Sequence, residues 1–355
     1  MEQSTLGERR KPALFITGAG GEVGHGLISA LSGDHQPDIV ATDLRDLDQE
    51  LREQCASTYL ADVCDRDALD RLLAMYQVKE IYHLAAMLST RAEIAPEVAH
   101  QVNVNGTVNI LHIAAEQGRM YGEPVKVVFP SSIAAYGFGS LQEKKNAGAV
   151  SEYEHCKPST MYGCNKLYCE HLGRYYAHSY RQLAQDSVAG KDKNRGVVDF
   201  RCVRYPGLIS AETVPTGGTS DFVPEMLHAA ARGDAYKCFV REDSRIPFMT
   251  MPEAINATLQ LAAAPREELT QIVYNIASFS PSAGEVAEEV KQHFPEAIIT
   301  FEPDQRRQAI VDSWPEALDC SAAKDDWGFA STYTLEQAFE EYLVPRIKKQ
   351  YESAS

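Results

Sequence analysis

The chain has 355 residues, of which 44% are hydrophobic and 24% charged, and carries a formal net charge of −16. That is enough apolar material for a sizeable α/β core with a smaller lobe. The excess of carboxylates leaves nothing to neutralise a row of phosphates and so excludes a nucleic-acid binder. No run approaches the roughly 18 apolar residues of a membrane span. Eight cysteines stand at 55, 64, 156, 164, 169, 202, 238 and 320, with no Cys-x-x-Cys pair and no zinc-ligand spacing among them. They read as reduced thiols of an intracellular, soluble protein without a structural metal. No signal peptide is visible before the first strand.

In chain order, Ala13–Thr17 is a short apolar strand entering a glycine cluster, and Val23–Leu31 has helical spacing. Ile39–Thr42 reads as a second strand, Ala68–Tyr76 as a helix and Glu80–Leu84 as a strand. Glu97–Gln117 is a long helix, Lys126–Phe129 a strand and Thr160–Leu183 a second long helix. Strands alternating with helices of this length predict a parallel sheet covered on both faces, a doubly wound, Rossmann-type architecture. The division expected is a dinucleotide-binding domain over 11–200 and, over 201–350, mainly a smaller C-terminal substrate lobe with some segments returning to the sheet. Two polar stretches, 138–157 and 182–196, read as surface excursions.

The glycine cluster runs Gly18-Ala19-Gly20-Gly21-Glu22-Val23-Gly24. Gly18 permits a tight turn, Gly21 lets backbone approach a pyrophosphate, and Gly24 allows close helix packing. A diphosphate then meets the free N–H groups at the helix start, around Glu22 and Val23. The motif follows a strand and opens a helix, which is the context it needs. Asp43, 19 residues after Gly24, ends the second strand. A carboxylate there accepts both ribose hydroxyls of NAD and repels the extra phosphate of NADP. Asp62-Val63 is placed to read an adenine edge, with a helix N-cap as the other reading of Asp62.

Tyr-x-x-x-Lys occurs twice, as Tyr153/Lys157 and Tyr162/Lys166. Acid–base work on an alcohol needs both side chains on one face of a helix. Lys157 precedes Pro158, which drives it out of helical conformation, whereas Tyr162 and Lys166 begin an uninterrupted helical stretch. The second pair is the candidate. A free phenol has a pKa near 10, and bringing it to neutrality takes about 4 kcal/mol. An ammonium about 4 Å away contributes on the order of 4 kcal/mol at moderate dielectric. Ser131 and Ser132 end the strand at the sheet's carboxyl edge, where ligands bind. Ser132 is the hydroxyl expected to orient a reacting alcohol, with Ser131 nearer a nicotinamide.

Together these residues resemble the extended short-chain dehydrogenase/reductase superfamily. Further matching segments are His83-Leu84-Ala85-Ala86 and Asn103-Val104-Asn105-Gly106. The resemblance implies NAD as cofactor, with Leu84, Ala85 and Ala86 lining it and Lys166 also holding the nicotinamide ribose. It also implies that Asn103 supports the active-site helix, although a buried structural asparagine reads equally well. Tyr205-Pro206 would present main-chain groups near the carboxamide.

Later segments are similar to the short-chain-type L-threonine 3-dehydrogenases. They include Gly217-Gly218-Thr219-Ser220-Asp221, Ile246-Pro247-Phe248-Met249 and Ile310-Val311-Asp312-Ser313-Trp314-Pro315. That likeness implies oxidation of L-threonine to 2-amino-3-oxobutyrate, with Tyr162 as general base. It implies a homodimer through the helices at 97–117 and 160–183, and a mitochondrial location in animal or protozoan relatives against a cytoplasmic one in bacteria. From the residues, Thr219, Ser220 and Asp221 at a helix start suit an amino-acid carboxylate and ammonium, or plain capping; Ser89 touches substrate or ends a strand. The rivals are a nucleotide-sugar epimerase, using Arg232, Arg241 and Arg245 on a diphosphate, and a dehydrogenase of another 3-hydroxy acid. Against the epimerase, Pro206-Gly207 stands where such enzymes usually carry an asparagine. A non-catalytic nucleotide sensor is the reading from a different class.

Overall fold

The computed structural model describes residues 10–33, 37–183, 196–215 and 217–352. Most of the 182–196 excursion, residues 184–195, lies outside the described residues. The chain opens with β1 (Lys11–Thr17), α1 (Glu22–Leu31), β2 (Asp38–Asp43), α2 (Gln49–Gln54), β3 (Ser57–Leu60), α3 (Arg66–Leu73) and β4 (Tyr76–His83). There follow α4 (Ser89–Ile94), a short helix at Pro96–His100, a π-helical turn at Gln101–Asn105 and α5 (Gly106–Tyr121). Then come β5 (Val125–Ser132), α6 (Leu141–Ala147), α7 (Met161–His178) and β6 (Val198–Tyr205). The remainder carries α8 (Phe222–Arg232), α9 (Met251–Ala263), β7 (Val273–Asn275), α10 (Ala283–His293) and α11 (Gln305–Asp312).

Seven strands form one parallel sheet in the order β7-β6-β5-β4-β1-β2-β3. The order reverses between β4 and β1, which is the doubly wound topology the alternation predicts. β1 shows why: beyond Pro12 its side chains are all buried, as a strand covered on both faces requires. No helix among the described residues is long and apolar enough to cross a membrane.

The chain divides into two compact units. One gathers the described residues of Met1–Ala85, Asn105–Phe129 and Gly173–Phe200; the other gathers Ala86–Val104, Pro130–Leu172 and Arg201–Ser355. The first has a core that includes Phe15, Ile16, Val40, Leu69, Ile81, Ile110 and Val127. The second is built around Phe222, Phe248, Val286, Val290, Trp314 and Phe339.

Element boundaries move for identifiable reasons. The helix expected over Ala68–Tyr76 starts at Arg66, because the Asp65 side chain caps it by accepting the Ala68 N–H. Tyr76 instead opens β4, its hydroxyl bonded to Tyr59 and Ser57. The helix expected to reach Leu183 ends at His178, and Arg181 beyond it takes a left-handed φ of 51°.

The 138–157 stretch carries more structure than its polar sequence suggests. Most of its residues are exposed, as a surface excursion requires, but it is ordered: Ser140 caps α6 by accepting the Glu143 N–H, and Ala149–Val150 pairs in parallel with Ala317–Leu318. Within the Glu143-Lys144-Lys145-Asn146 run only Lys144 is buried. Lys144 faces inward, 2% exposed, and its Nζ donates to the Val311 carbonyl at 3.0 Å. A long apolar stem makes that burial feasible. Burial pulls the Lys144 ammonium down to about 8, against the opposing pull of the Asp312 and Glu316 charges.

The unfolded chain therefore holds this proton over a pH range where the folded one has lost it. This lysine's contribution to stability rises with pH from about 8 toward the unfolded lysine value and is smallest below pH 8. Lys144→Met removes that dependence. The stability difference, variant minus wild type, is expected to be more favourable to the variant at pH 7 than at pH 10. Thermal unfolding at both pH values checks this, and an equal difference at both would contradict it.

Candidate active site

In the first unit the glycine turn is built as the motif requires. Gly18 has φ +67°, and a Cβ on it would lie 2.6 Å from the Ala85 nitrogen. A Cβ on Gly24 would lie 2.4 Å from the Ala19 carbonyl oxygen. The Gly21 N–H closes the turn on the Gly18 carbonyl at 3.1 Å, and Gly21 is the N-cap of α1 with no side-chain cap. Glu22 and Val23 form the first helical residues. Asp43 stands at the end of β2, accepting from Gly20 N–H at 3.0 Å and Arg45 N–H at 3.2 Å.

Several supports of this turn were not legible in the sequence as such. His83 bridges two hydroxyls, Thr17 at 2.8 Å and Thr107 at 3.1 Å, all buried. Thr17 in turn accepts the Leu84 N–H on its carbonyl and the Ala85 N–H on its hydroxyl. The Asp62 carboxylate accepts from Cys64 N–H at 2.8 Å, while Asp65 caps the helix, so Asp62 shapes the turn without being the cap. Asn109 donates to the Val63 carbonyl at 2.9 Å, and Val63 fills the space a Cβ on Gly106 would need.

In the second unit, helix α7 begins after Pro158. The Thr160 hydroxyl accepts the Gly163 N–H at 3.1 Å, and the Glu93 carboxylate accepts the Met161 N–H at 2.6 Å. Gly163 lets the helix lie against the 133–135 turn, since a Cβ there would sit 2.0 Å from the Ala134 carbonyl oxygen. Ser132 caps that turn by accepting the Ala134 N–H at 3.2 Å.

Tyr162 and Lys166 share this helix, with Nζ 5.6 Å from the phenol ring centroid. Tyr153 is 60% exposed, and residues 151–157 form no helix, so the rival pair lacks the one-face geometry. Lys166 is buried and donates to the Pro130 carbonyl at 2.7 Å. Burial pushes the Tyr162 phenol up and pulls Lys166 down to about 8. This departs from the expected acidified phenol. The lysine's charge is directed at a backbone carbonyl, and loss of water dominates both groups.

Ser131 is not open to a ligand as found: its buried hydroxyl donates to Glu170 at 2.5 Å. Glu170 also holds Arg204, through Nε at 2.8 Å and Nη2 at 2.6 Å. Asn103 sits in the π-helical turn, pairing with the Met87 backbone at 2.7 and 3.0 Å and with Asn165 at 3.3 Å. The Tyr205 hydroxyl is taken by Thr258 at 2.5 Å, which leaves the main chain of Tyr205 and the buried Pro206 as the groups to present.

Thr219 and Ser89 are brought together, hydroxyl to hydroxyl, at 3.4 Å. The Asp221 carboxylate closes its own loop by accepting the Gly218 N–H at 2.6 Å, and helix α8 starts one residue later with Ser220 in the turn before it. Arg307 fixes this loop from α11 by donating to the Gly218 carbonyl at 2.6 Å. The three arginines that would serve an epimerase are engaged elsewhere. Arg232 pairs with Asp234 at 2.7 Å, Arg241 with Asp312 at 2.9 Å and Arg245 with Glu285 at 2.9 Å.

Gly18→Ala places a methyl group against Ala85 in a left-handed backbone. It is expected to destabilise the fold by roughly 1–3 kcal/mol in denaturant unfolding. Gly33→Ala, where nothing lies within 4 Å, should stay within about 0.5 kcal/mol of wild type. Equal effects at the two positions would contradict the tight-turn account.

The NAD dependent epimerase/dehydratase family matches residues 14–277. The mitochondrial L-threonine 3-dehydrogenase of Bos taurus is 32% identical over 333 residues, 94% of this chain and 82% of that protein. An X-ray structure of L-threonine dehydrogenase from Clostridium difficile has a TM-score of 0.82 at 31% identity, over 96% of this chain and 99% of that one. A monomeric L-threonine 3-dehydrogenase from a metagenome database has a TM-score of 0.79 at 31% identity, over 95% and 99% of the two chains. A homodimer is therefore not common to every relative.

Proposed function

Because the chain belongs to the NAD dependent epimerase/dehydratase family, we propose that it is an NAD-dependent oxidoreductase that oxidises L-threonine at its 3-hydroxyl to 2-amino-3-oxobutyrate. The single observation that carries the reading is Tyr162 and Lys166 on one helix whose start packs on the turn capped by Ser132. The likeness to L-threonine 3-dehydrogenases over nearly the whole chain supplies the substrate. The pairing of Arg232, Arg241 and Arg245 with carboxylates weighs against a nucleotide diphosphate as substrate.

The residues fit the cofactor. A left-handed glycine turn leads into an α1 start without a side-chain cap, a cradle for a diphosphate at Gly18, Gly21, Glu22, Val23 and Gly24. Asp43 would accept the adenosine ribose hydroxyls; Asp62 and Val63 would meet the adenine edge; Leu84, Ala85 and Ala86 would line the dinucleotide. Asn103, Tyr205 and Pro206 would support it from backbone positions. Bound NAD supplies the hydride acceptor.

The chain's own residues do the rest. Ser132 would hold the substrate's 3-hydroxyl by a hydrogen bond, and Tyr162 would take its proton as hydride leaves the β-carbon. Lys166 would stabilise the phenolate that accepts this proton and becomes the neutral phenol, and would hold the nicotinamide ribose. Burial opposes an ionised phenol, so positive charge close to Tyr162 is what makes it a base. Thr219, Ser220 and Ser89 would receive the carboxylate, and Asp221 the ammonium.

The test is NADH formation from NAD and L-threonine. Tyr162→Phe is expected to lower kcat roughly 10²- to 10⁴-fold, and Tyr153→Phe to leave it unchanged. Inversion of a UDP-sugar without NADH accumulation would instead favour the epimerase, and an undiminished Tyr162→Phe variant would refute the base assignment.

A further inference from the structure

Helix α7 does not merely lie near the end of β5; it is clamped to it at two successive turns. Lys166 donates to the Pro130 carbonyl at 2.7 Å, and four residues on Glu170 accepts the Ser131 hydroxyl at 2.5 Å. Adjacent residues of a strand are thus held by side chains one helical turn apart. This fixes both the height and the rotation of the helix on the strand.

The second clamp is reinforced from a third element. Glu170 is 4% exposed and takes three donors on its two oxygens: Ser131 Oγ and Arg204 Nε on Oε1, and Arg204 Nη2 on Oε2. Arg204, 2% exposed near the end of β6, also donates to the Glu152 carbonyl at 2.8 Å and lies 4.6 Å from the Tyr136 ring centroid. Burial works to lower the guanidinium's pKa, but the Glu170 hydrogen bonds and charge outweigh it and push it up. Two opposite charges buried together seldom add net stability compared with apolar packing. What a planar fork on a carboxylate does add is orientation.

We propose that Glu170, locked by Arg204 and reading the Ser131 hydroxyl, is a positioning residue that sets the register of α7 on β5 and so the stance of Tyr162 and Lys166. The inference rests on the functional reading above and extends it to residues that touch neither substrate nor cofactor. It also reassigns Ser131, whose hydroxyl serves the helix instead of the nicotinamide.

The experiment uses Ser131→Ala, Ser131→Thr, Glu170→Gln and the double variant Ser131→Ala/Glu170→Gln in the full-length chain. Ser131→Ala leaves the ion pair intact, so it remains interpretable where Glu170→Gln, which strands a buried guanidinium, fails to fold. For Ser131→Ala, kcat with L-threonine is expected to fall roughly 10- to 100-fold, because reacting groups displaced by a fraction of an ångström to about 1 Å lose that much. KM for L-threonine and Kd for NAD should stay within about twofold. Ser131→Thr should restore kcat. The double variant should be no worse than Glu170→Gln alone within about twofold, since the two act as one link. Amide hydrogen exchange over residues 160–166 should quicken in Ser131→Ala without substrate or NAD present.

Unchanged kcat and exchange in Ser131→Ala would overturn the proposal. A loss that appears as weakened NAD binding would overturn it too, since Ser131 would then be a direct cofactor contact. If the wild-type protein forms no NADH from L-threonine, the functional reading fails while the exchange measurement still decides the register.

Discussion

The second unit depends on how one helix is fastened to one strand end. A tyrosine and a lysine four residues apart share a helical face in any sequence. Chemistry requires that face to stand at a defined place, and a helix resting on apolar contacts alone can slide or turn. Here the fastening is polar and directional: Lys166 on Pro130, Glu170 on Ser131, and the Arg204 fork behind Glu170. The helix start is held as firmly, by Glu93 on the Met161 N–H and by the close approach of Gly163 to the Ala134 carbonyl.

That arrangement has an electrostatic consequence. Removing water from Tyr162 and Lys166 favours the neutral form of each, so burial raises the phenol and lowers the ammonium to about 8. Proton abstraction from an alcohol needs the opposite pair of states, a phenolate beside an ammonium. The protein keeps the two groups buried, and under the proposed function charge arriving with the cofactor would complete the balance. On the proposed function, an acidified phenol would therefore be a property of the loaded site.

The sequence carries a great deal of this because the strongest signals are spacings. Alternating apolar runs predict the parallel doubly wound sheet, and the glycine triplet predicts the turn that Gly18 makes at φ +67°. Pro158 separates the two Tyr-x-x-x-Lys candidates, since only the one after it is helical. What stays hidden are partnerships between distant residues. Lys144 lies in a polar run that looks solvated, and its burial depends on a carbonyl 167 positions away. Glu170 and Arg204 read as an ordinary helix carboxylate and a strand arginine, yet their short contacts join residues 34 positions apart. One signal was available: Arg204 is one of three charges, with Asp199 and Arg201, in a strand that is buried throughout, and Glu170 repeats the Tyr162–Lys166 spacing once more along the helix. The end of α7 at His178 was not legible: no glycine or proline announces it, and Arg181, three residues on, takes a left-handed backbone.

The most direct measurement is ultraviolet titration of the Tyr162 phenol, taken as the difference between wild type and Tyr162→Phe because the chain has 17 tyrosines. Opposite charge brought next to a buried phenol should lower its midpoint by about 2 pH units or more. The account predicts a high midpoint for the protein alone and that lower one with saturating NAD. An unchanged midpoint on adding NAD would contradict it.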